Sequence, residues 1–208
     1  MSNEGLWQQV IKLDGHETAR RAKCRYVVNP PRYIIKLLGS EYTVDLSEKK
    51  VFTLNPSGSG FAEELCILAY LINAKDLPLA GKTATAESLP AGQFFFRGLH
   101  RLPTDKLADA FGQQPQRLYK AIECLEAAKC DFHLRQGYGG QVGDASIQFN
   151  ILPRVPLTVV IWRADEEFGA RASILFDQTA AEQMPLDALW MAVNIAVKLL
   201  VKASSETD

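Results

Sequence analysis

The chain has 208 residues, of which 47% are hydrophobic and 23% charged, a composition typical of a protein that folds around a core rather than staying disordered. Its 23 basic and 24 acidic residues give a net charge of −1, which argues against a nucleic acid partner because phosphate binding needs a basic surface. No segment approaches the roughly 20 apolar residues that cross a bilayer, so no membrane partner is expected either.

The N-terminal part of the chain predicts helices followed by antiparallel strands. Leu6, Val10 and Leu13 recur at helical intervals near the start. The apolar spacing predicts helices over residues 4–13, 16–23 and 61–74. The β-forming residues between the second and third helices predict strands over residues 33–38, 41–46 and 51–54. The second and third of these strands form a predicted hairpin that turns at residues 47–50.

The C-terminal part begins with residues 79–103, which are dense in glycine and proline and predict irregular structure on the core, since three adjacent phenylalanines cannot all face water. Two helices are predicted after it, over residues 104–111 and 115–128. Three strands, over residues 145–152, 157–162 and 170–176, and a final helix over residues 185–202 follow them. Thr104 is expected to cap the first of these helices, and Pro185 to begin the last. Residues 157–162 are apolar on both faces, which is typical of a central strand.

The strands fall in two blocks instead of alternating regularly with helices. This order favours an α+β fold, with a largely antiparallel or mixed sheet packed with several helices, over a doubly wound one. No linker or repeat divides the sequence, so residues 1–208 are expected to form a single globular domain with frayed termini at 1–3 and 203–208.

A glycine-rich loop at residues 55–60 lies between a predicted strand and a predicted helix, an order that can bind phosphate on backbone N–H groups. No Lys-Ser or Lys-Thr pair follows it, and Glu63 stands where a dinucleotide-binding loop has its third glycine. A carboxylate there would repel phosphate, so a simple connection that caps the helix is favoured.

The four cysteines, Cys24, Cys66, Cys124 and Cys130, are scattered along the chain. Cys124, Cys130 and His133 lie within ten residues, but their spacing does not match a pair of thiolate knuckles and no second half supplies the other zinc ligands. The N-terminal residues lack the features of a secretory signal, so reduced, buried thiols and a cytoplasmic location are expected. No metal or other cofactor is expected, and the scattered cysteines argue against an iron–sulfur cluster.

Arg97, His100 and Arg101 lie close together in the irregular segment, where they could hold a carboxylate or phosphate through charge-assisted hydrogen bonds. Solvated residues on a surface loop are the alternative, because charged side chains are usually exposed. Asp144 is a further candidate for a pocket that contains Arg97 and His100.

Asp165, Glu166 and Glu167 form an acidic tip between the last two predicted strands, and Asp177 ends the second of these strands. The tip and Asp177 are about six residues, or roughly 20 Å, apart in an extended strand at ~3.3 Å per residue. A metal site shared by the two is therefore not expected. Asp177 is expected to cap the turn that follows, and the acidic tip is a candidate contact surface.

Four segments of the chain, residues 89–98, 152–156, 162–168 and 174–177, resemble the family known as domain of unknown function 3786. The likeness extends from the first helix to about Val201. The resemblance implies relatives mainly in anaerobic bacteria and archaea, some with an added iron–sulfur segment of clustered cysteines, which this chain lacks. It implies no particular reaction.

With three histidines and no Gly-x-Ser-x-Gly elbow, the sequence contains no recognisable catalytic motif. We therefore expect a non-catalytic binding or accessory module, serving an anaerobic redox or cofactor pathway as the resemblance implies. Its contact surface would combine residues 94–101 with residues 165–168.

Two other functions stay open. One is a small-ligand-binding protein or enzyme whose pocket joins Arg97, His100 and Asp144 to the acidic tip. The other is a structural homo-oligomer, whose interface would contain exposed aromatic residues such as Trp7 or those at 94–96.

Overall fold

The computed structural model describes residues 3–54, 59–127 and 143–205. The helices are α1 (Glu4–Val10), α2 (Gly15–Ala22), α3 (Phe61–Asn73), α4 (Gly92–Phe95), α5 (Thr104–Phe111), α6 (Arg117–Ala127), α7 (Ala180–Gln183) and α8 (Leu186–Ser205). The strands are β1 (Arg25–Val27), β2 (Arg32–Leu37), β3 (Ser40–Asp45), β4 (Lys50–Thr53), β5 (Thr83–Thr85), β6 (Ala145–Leu152), β7 (Val155–Trp162) and β8 (Arg171–Asp177).

In the part of the chain that the structure describes, the strands form two four-stranded antiparallel sheets, which confirms the predicted α+β class. The first sheet is a meander of order β1-β2-β3-β4, and the second has the order β5-β8-β7-β6. The sheets meet where the Leu38 N–H donates a hydrogen bond of 2.8 Å to the Ile151 carbonyl.

One hydrophobic cluster contains side chains of both sheets and of the helices that pack against them. α3 and α8 pack against each other, and Leu68 and Val193 are fully buried on them. The inner face of the second sheet contributes Phe149, Leu157 and Phe176, which lie in one row across three strands. Each such side chain contributes about 1.5–3 kcal/mol on burial, so this cluster is the main source of stability.

The outer face of the second sheet is more polar, because successive side chains on a strand point to opposite faces. One row across its four strands consists of Thr85, Leu175, Thr158 and Gln148. The Gln148 amide donates a hydrogen bond of 3.1 Å to the Thr158 hydroxyl. This polar face and its edges border the two clefts described below.

Short elements account for the differences from the sequence predictions. β1 and β5 have three residues each, too few for an alternating pattern to be recognised. Residues 79–103 are therefore not wholly irregular, as they contain β5 and α4. Thr104 begins α5 but does not cap it, because Pro103 holds the cap position and no side chain accepts a capping hydrogen bond.

Asn3, in the N-terminus predicted to fray, is buried and donates a hydrogen bond of 3.0 Å to the Glu64 carboxylate. The Trp7 indole N–H donates to the same oxygen at 3.1 Å. At the other end α8 continues through the buried Ala203 to Ser205, and residues 206–208 lie outside the described ranges. None of the described helices is both long enough and apolar enough to cross a membrane.

Candidate functional site

A cleft of about 420 Å³ opens between α5 and the first residues of β8. We call it the arginine cleft. Its lining residues are Arg101, Thr104, Asp105, Ala108, Trp162, Ala170, Arg171, Ala172 and Ser173. It therefore presents two guanidinium groups, two hydroxyls and one carboxylate around an indole ring.

The residues at the start of α5 form one wall of the arginine cleft. Arg101 precedes the helix, and its guanidinium lies 3.5 Å from the Asp105 carboxylate in an exposed pair. Such a pair contributes little to stability, so it leaves the guanidinium able to exchange partners. The Arg101 carbonyl accepts a hydrogen bond of 3.3 Å from the Trp190 indole N–H, which ties this wall to α8.

The opposite wall is the outer edge of β8. β5 pairs only with residues 175–177, so residues 171–174 have no partner strand on that side among the described residues. The cleft contacts Arg171, Ala172 and Ser173 in succession, and neighbouring side chains point to opposite faces, so the cleft lies along the strand edge. Within the described ranges, no hydrogen bond outside the β7–β8 pairing reaches the backbone of residues 171–174.

Arg171, which lines the arginine cleft, lies over two aromatic rings. Its guanidinium carbon lies 5.9 Å from the centroid of the Trp162 ring and 5.8 Å from that of Phe168. Cation–π attraction of this kind positions the guanidinium without consuming its N–H donors. Phe168 is itself 57% exposed, so an apolar ring lies at the rim beside the charge.

The acidic tip is shaped by Asp165. Its carboxylate accepts hydrogen bonds from the N–H groups of Phe168 at 2.7 Å and Glu167 at 2.9 Å. These hydrogen bonds lower the pKa of the Asp165 carboxyl below its ordinary value, and the bond from Phe168 has the largest effect. Glu166 and Glu167 are exposed, and their carboxylates have no described partner. Asp165 therefore builds the turn, while the two glutamates carry its accessible charge.

His100 is exposed, but its ring also contacts two aromatic side chains. Its ring stacks on Phe95, with centroids 4.4 Å apart, and meets the edge of the Trp190 ring at 5.4 Å. Arg97, three residues earlier, is exposed. The aromatic contacts of His100 fix the path of the chain that leads to Arg101.

The three adjacent phenylalanines divide between core and surface, as predicted. Phe96 is buried and stacks near Phe176, with centroids 6.4 Å apart, while Phe94 is 75% exposed. Leu99 is exposed as well, at 92%. The segment that precedes Arg101 therefore exposes two large apolar side chains.

The predicted site residues come together only in part. Residues 94–101 reach the arginine cleft through Arg101, which lines it. The acidic tip lies beside the cleft because Phe168, next to the tip, contacts the cleft residue Arg171. However, neither Arg97, His100 nor Asp144, nor any residue of the tip, lines it. Sequence reasoning missed Arg171 and Trp162, which pair across the β7–β8 hairpin. Trp162 lies three residues before the acidic tip and Arg171 four residues after it, and these positions at the ends of the predicted strands are the signal that could have found them.

Asp144 has a structural role. Its carboxylate accepts a hydrogen bond of 2.7 Å from the Arg163 N–H, and its own N–H donates to the Ile161 carbonyl at 2.8 Å. It therefore fastens the start of β6 to the end of β7.

Asp177 lies at the end of β8 opposite the acidic tip, as the strand length predicts. Its carboxylate accepts hydrogen bonds from the Thr179 hydroxyl at 2.7 Å and N–H at 3.0 Å, which confirms that it caps the following turn. It also accepts from the N–H groups of Ala80 at 3.0 Å and Gly81 at 2.8 Å, contacts that the sequence did not predict. Burial opposes ionisation of Asp177, but these hydrogen bonds outweigh it and lower its pKa.

A second cleft, of about 490 Å³, lies beside Asp177 on the outer face of the second sheet. We call it the lysine cleft. Its lining residues are Lys23, Leu79, Gly81, Lys82, Thr83, Gln148, Phe149, Asn150, Pro153, Pro156 and Asp177.

Arg154 fastens the two segments that border the lysine cleft. It is only 6% exposed, and its Nε donates a hydrogen bond of 2.6 Å to the Arg21 carbonyl, two residues before Lys23. Its Nη1 donates to the Leu77 carbonyl at 2.9 Å, and its Nη2 pairs with Asp76. One buried guanidinium thus joins the end of α2 to the segment that follows α3.

Within the described ranges, no three His, Cys, Asp or Glu side chains are placed to hold a metal ion. Burial raises the pKa of the Cys66 thiol and raises that of Cys24 to about 12, so both are protonated near neutral pH. Metals and electrophiles react with the thiolate, so neither thiol is activated. Cys130, His133 and the side chain of Cys124 lie outside the described residues.

The Gly60 N–H donates a hydrogen bond of 3.0 Å to the Glu63 carboxylate at the start of α3. The end of the glycine-rich loop therefore caps the helix, as the sequence favoured. Residues 55–58 of that loop are outside the described ranges.

The model of one protein family, described as domain of unknown function (DUF3786), matches residues 14–199. The matched region contains the acidic tip and the lining residues of both clefts. No curated protein and no solved structure shows significant similarity to the chain.

Proposed function

The chain belongs to the family described as domain of unknown function (DUF3786), and we propose that it is a cytoplasmic, non-catalytic binding module for an extended, acidic segment of a protein partner. The observation that carries this proposal is the unpaired edge of β8 between two arginines. As the family resemblance implies, the partner would serve an anaerobic redox or cofactor pathway.

The main chain of β8 supplies the first part of the argument. In an antiparallel ladder, every second residue directs its N–H and C=O to the same side, so alternate residues within the cleft-lining stretch 171–173 offer unpaired groups to the cleft. An exposed strand edge is a template for another extended chain, and peptide recognition by strand addition uses it. A bound segment would continue the line of β5 along β8.

The charged side chains that line the cleft, two arginines and one aspartate, favour a segment with acidic residues. Arg101 and Arg171 present planar guanidinium groups, which bind carboxylates through paired hydrogen bonds. Arg171 forms no ion pair with a described residue. The exposed ring of Phe168 and the indole of Trp162 offer apolar contacts beside the Arg171 guanidinium. Arginine and aromatic residues are the types enriched at protein interfaces.

A pocket that joins Arg97, His100 and Asp144 to the acidic tip is a weaker proposal. The His100 ring stacks on Phe95 and meets Trp190 edge-on, and the Asp144 carboxylate accepts a hydrogen bond from the backbone of Arg163. Neither arrangement directs these groups toward a shared ligand.

Fluorescence polarisation with a labelled peptide that alternates valine with glutamate tests the proposal. We expect this peptide to bind, and its counterpart with lysine in place of glutamate to bind at least about tenfold more weakly. Arg171→Gln should weaken the binding of the acidic peptide by about tenfold, equivalent to about 1.4 kcal/mol of binding free energy. Arg163→Gln, an exposed arginine outside the cleft, is the matched control and should leave the affinity unchanged.

Hydrogen exchange locates the bound peptide. Amides within residues 171–174 should exchange more slowly in the complex. The proposal is wrong if the peptide binds without protecting them, or if both peptides bind equally well. It is also wrong if light scattering shows a dimer in which these amides are protected without peptide, because a second copy would then cover the edge.

A further inference from the structure

We propose that the lysine cleft is a separate site that binds a phosphorylated, hydroxyl-rich small molecule, of the chemical class of the sugar phosphates. This inference does not depend on the peptide site, which lies at the other end of β8.

Lys23 and Lys82 supply the positive charge of this site. Both are exposed residues that line the cleft, and neither forms an ion pair with a described residue. The ammonium group of lysine is a compact charge that suits phosphate. Asp177 brings the formal charge of the lining to +1, but its carboxylate already accepts four hydrogen bonds from protein groups. The phosphate is therefore expected at the lysines.

Polar side chains on the sheet supply contacts for hydroxyl groups. Thr83 lies on β5, while Gln148 and Asn150 lie on β6, so these groups border the cleft from strands at opposite edges of the sheet. The Gln148 amide N–H donates to Thr158, and its carbonyl oxygen has no described partner. An amide both donates and accepts, as does a sugar hydroxyl, so this floor matches a polyol better than a bare anion.

The walls of the lysine cleft are held in place before any ligand binds. Arg154 joins the segment before Lys23 to residues 76–77, and Asp177 holds the N–H groups of Ala80 and Gly81 next to Lys82. Both are charged residues under 10% exposed, and burying a charge is costly unless its hydrogen bonds are satisfied. The satisfied bonds therefore fix the two walls, and a fixed site binds with less loss of entropy.

The size and rim of the cleft agree with a small polar ligand. Its volume of about 490 Å³ falls in the range of roughly 300–1,000 Å³ common to small-molecule sites. Leu79 lies at the rim with 45% of its surface exposed, where it can cover the C–H face of a sugar ring.

Calorimetric titration of the full chain with glucose 6-phosphate, ribose 5-phosphate, glucose and inorganic phosphate tests this proposal. We expect at least one sugar phosphate to bind about tenfold or more tightly than glucose and than inorganic phosphate. Lys23→Gln and Lys82→Gln should each weaken that binding about five- to tenfold, and the loss should shrink at high salt, where charges are screened. Asn150→Ala should weaken the binding of the sugar phosphate more than it weakens the binding of inorganic phosphate.

Lys12→Gln removes the same charge at an exposed position outside the cleft and should leave the affinity unchanged. Arg171→Gln should also leave it unchanged, which separates this site from the peptide site. The proposal is overturned if neither sugar phosphate binds more tightly than inorganic phosphate, or if Lys12→Gln weakens binding as much as the cleft variants. Since the replaced lysines are exposed, unchanged melting curves should show that each variant is folded.

Discussion

Single buried charges in this protein organise long stretches of backbone. Arg154 and Asp177 illustrate this, because their side chains bind carbonyl and N–H groups from segments that are far apart in sequence. Nothing in the local sequence marks these partners, since they lie 77 and 133 positions from Arg154 and 96 and 97 positions from Asp177. Sequence reasoning could place Asp177 at a turn, but not the second segment that it holds.

Replacing Arg154 by methionine should lower the free energy of unfolding by about 2–3 kcal/mol. The change keeps much of the side-chain volume but leaves the Arg21 and Leu77 carbonyls without their donor, at about 1–3 kcal/mol for each unsatisfied buried group. Urea denaturation measures the difference. Arg97→Met, at an exposed position, should change stability by no more than about 0.5 kcal/mol, and an equal loss there would contradict this assignment.

Asp177 should make the protein acid-sensitive. Hydrogen bonds to its carboxylate overcome the effect of burial and lower its folded-state pKa, so its contribution is full above the unfolded pKa of about 3.9. That contribution is lost as the pH falls through the folded value. In Asp177→Asn, the free energy of unfolding, measured by urea denaturation, should therefore fall less steeply as the pH is lowered into the acid range. Glu166→Gln, at the exposed tip, is the control, and an unchanged pH dependence in Asp177→Asn would contradict the role.

Helix ends show where local sequence rules succeed and where they fail. Asp14 precedes α2, and its carboxylate accepts a hydrogen bond of 2.8 Å from the Glu17 N–H, which is an ordinary N-cap. Thr104 has a side chain equally suited to capping, but the helix begins one residue too early and places it inside the first turn. Residue type alone does not fix the residue at which a helix begins.

Asp14→Ala should therefore destabilise the protein by about 1 kcal/mol, the usual contribution of an N-cap side chain. Thr104→Ala should cost less than about 0.5 kcal/mol, because no capping hydrogen bond is lost. Thermal unfolding of the two variants side by side measures the contrast. Similar losses in both would show that Thr104 caps α5 in solution.

For the whole molecule, the sequence predicted the class and most of the elements. Apolar periodicity located α3, α8 and the strands β6 to β8, because these are long enough for a pattern to repeat. The pairing of β5 with β8 could not be predicted, since three residues carry no pattern and the partner is almost a hundred positions away. The arginine cleft depends on where β5 stops, so it was equally hidden.

The continuous hydrophobic cluster predicts that both sheets unfold together. Val44 in the first sheet and Ile174 in the second belong to the same cluster. Val44→Ala and Ile174→Ala should each shift one shared transition, followed equally by circular dichroism and by tryptophan fluorescence. Two separated transitions, each moved by one variant alone, would instead show two independent folding units.

The position of Trp162 makes the arginine cleft spectroscopically visible. Its indole lines that cleft beside a cationic group, and Trp190 binds the neighbouring Arg101 carbonyl. The lysine cleft contains no tryptophan or tyrosine in its lining. Intrinsic emission should therefore respond to a molecule entering the first cleft and stay constant for one entering the second. An unlabelled protein can thus report which of these two clefts is occupied.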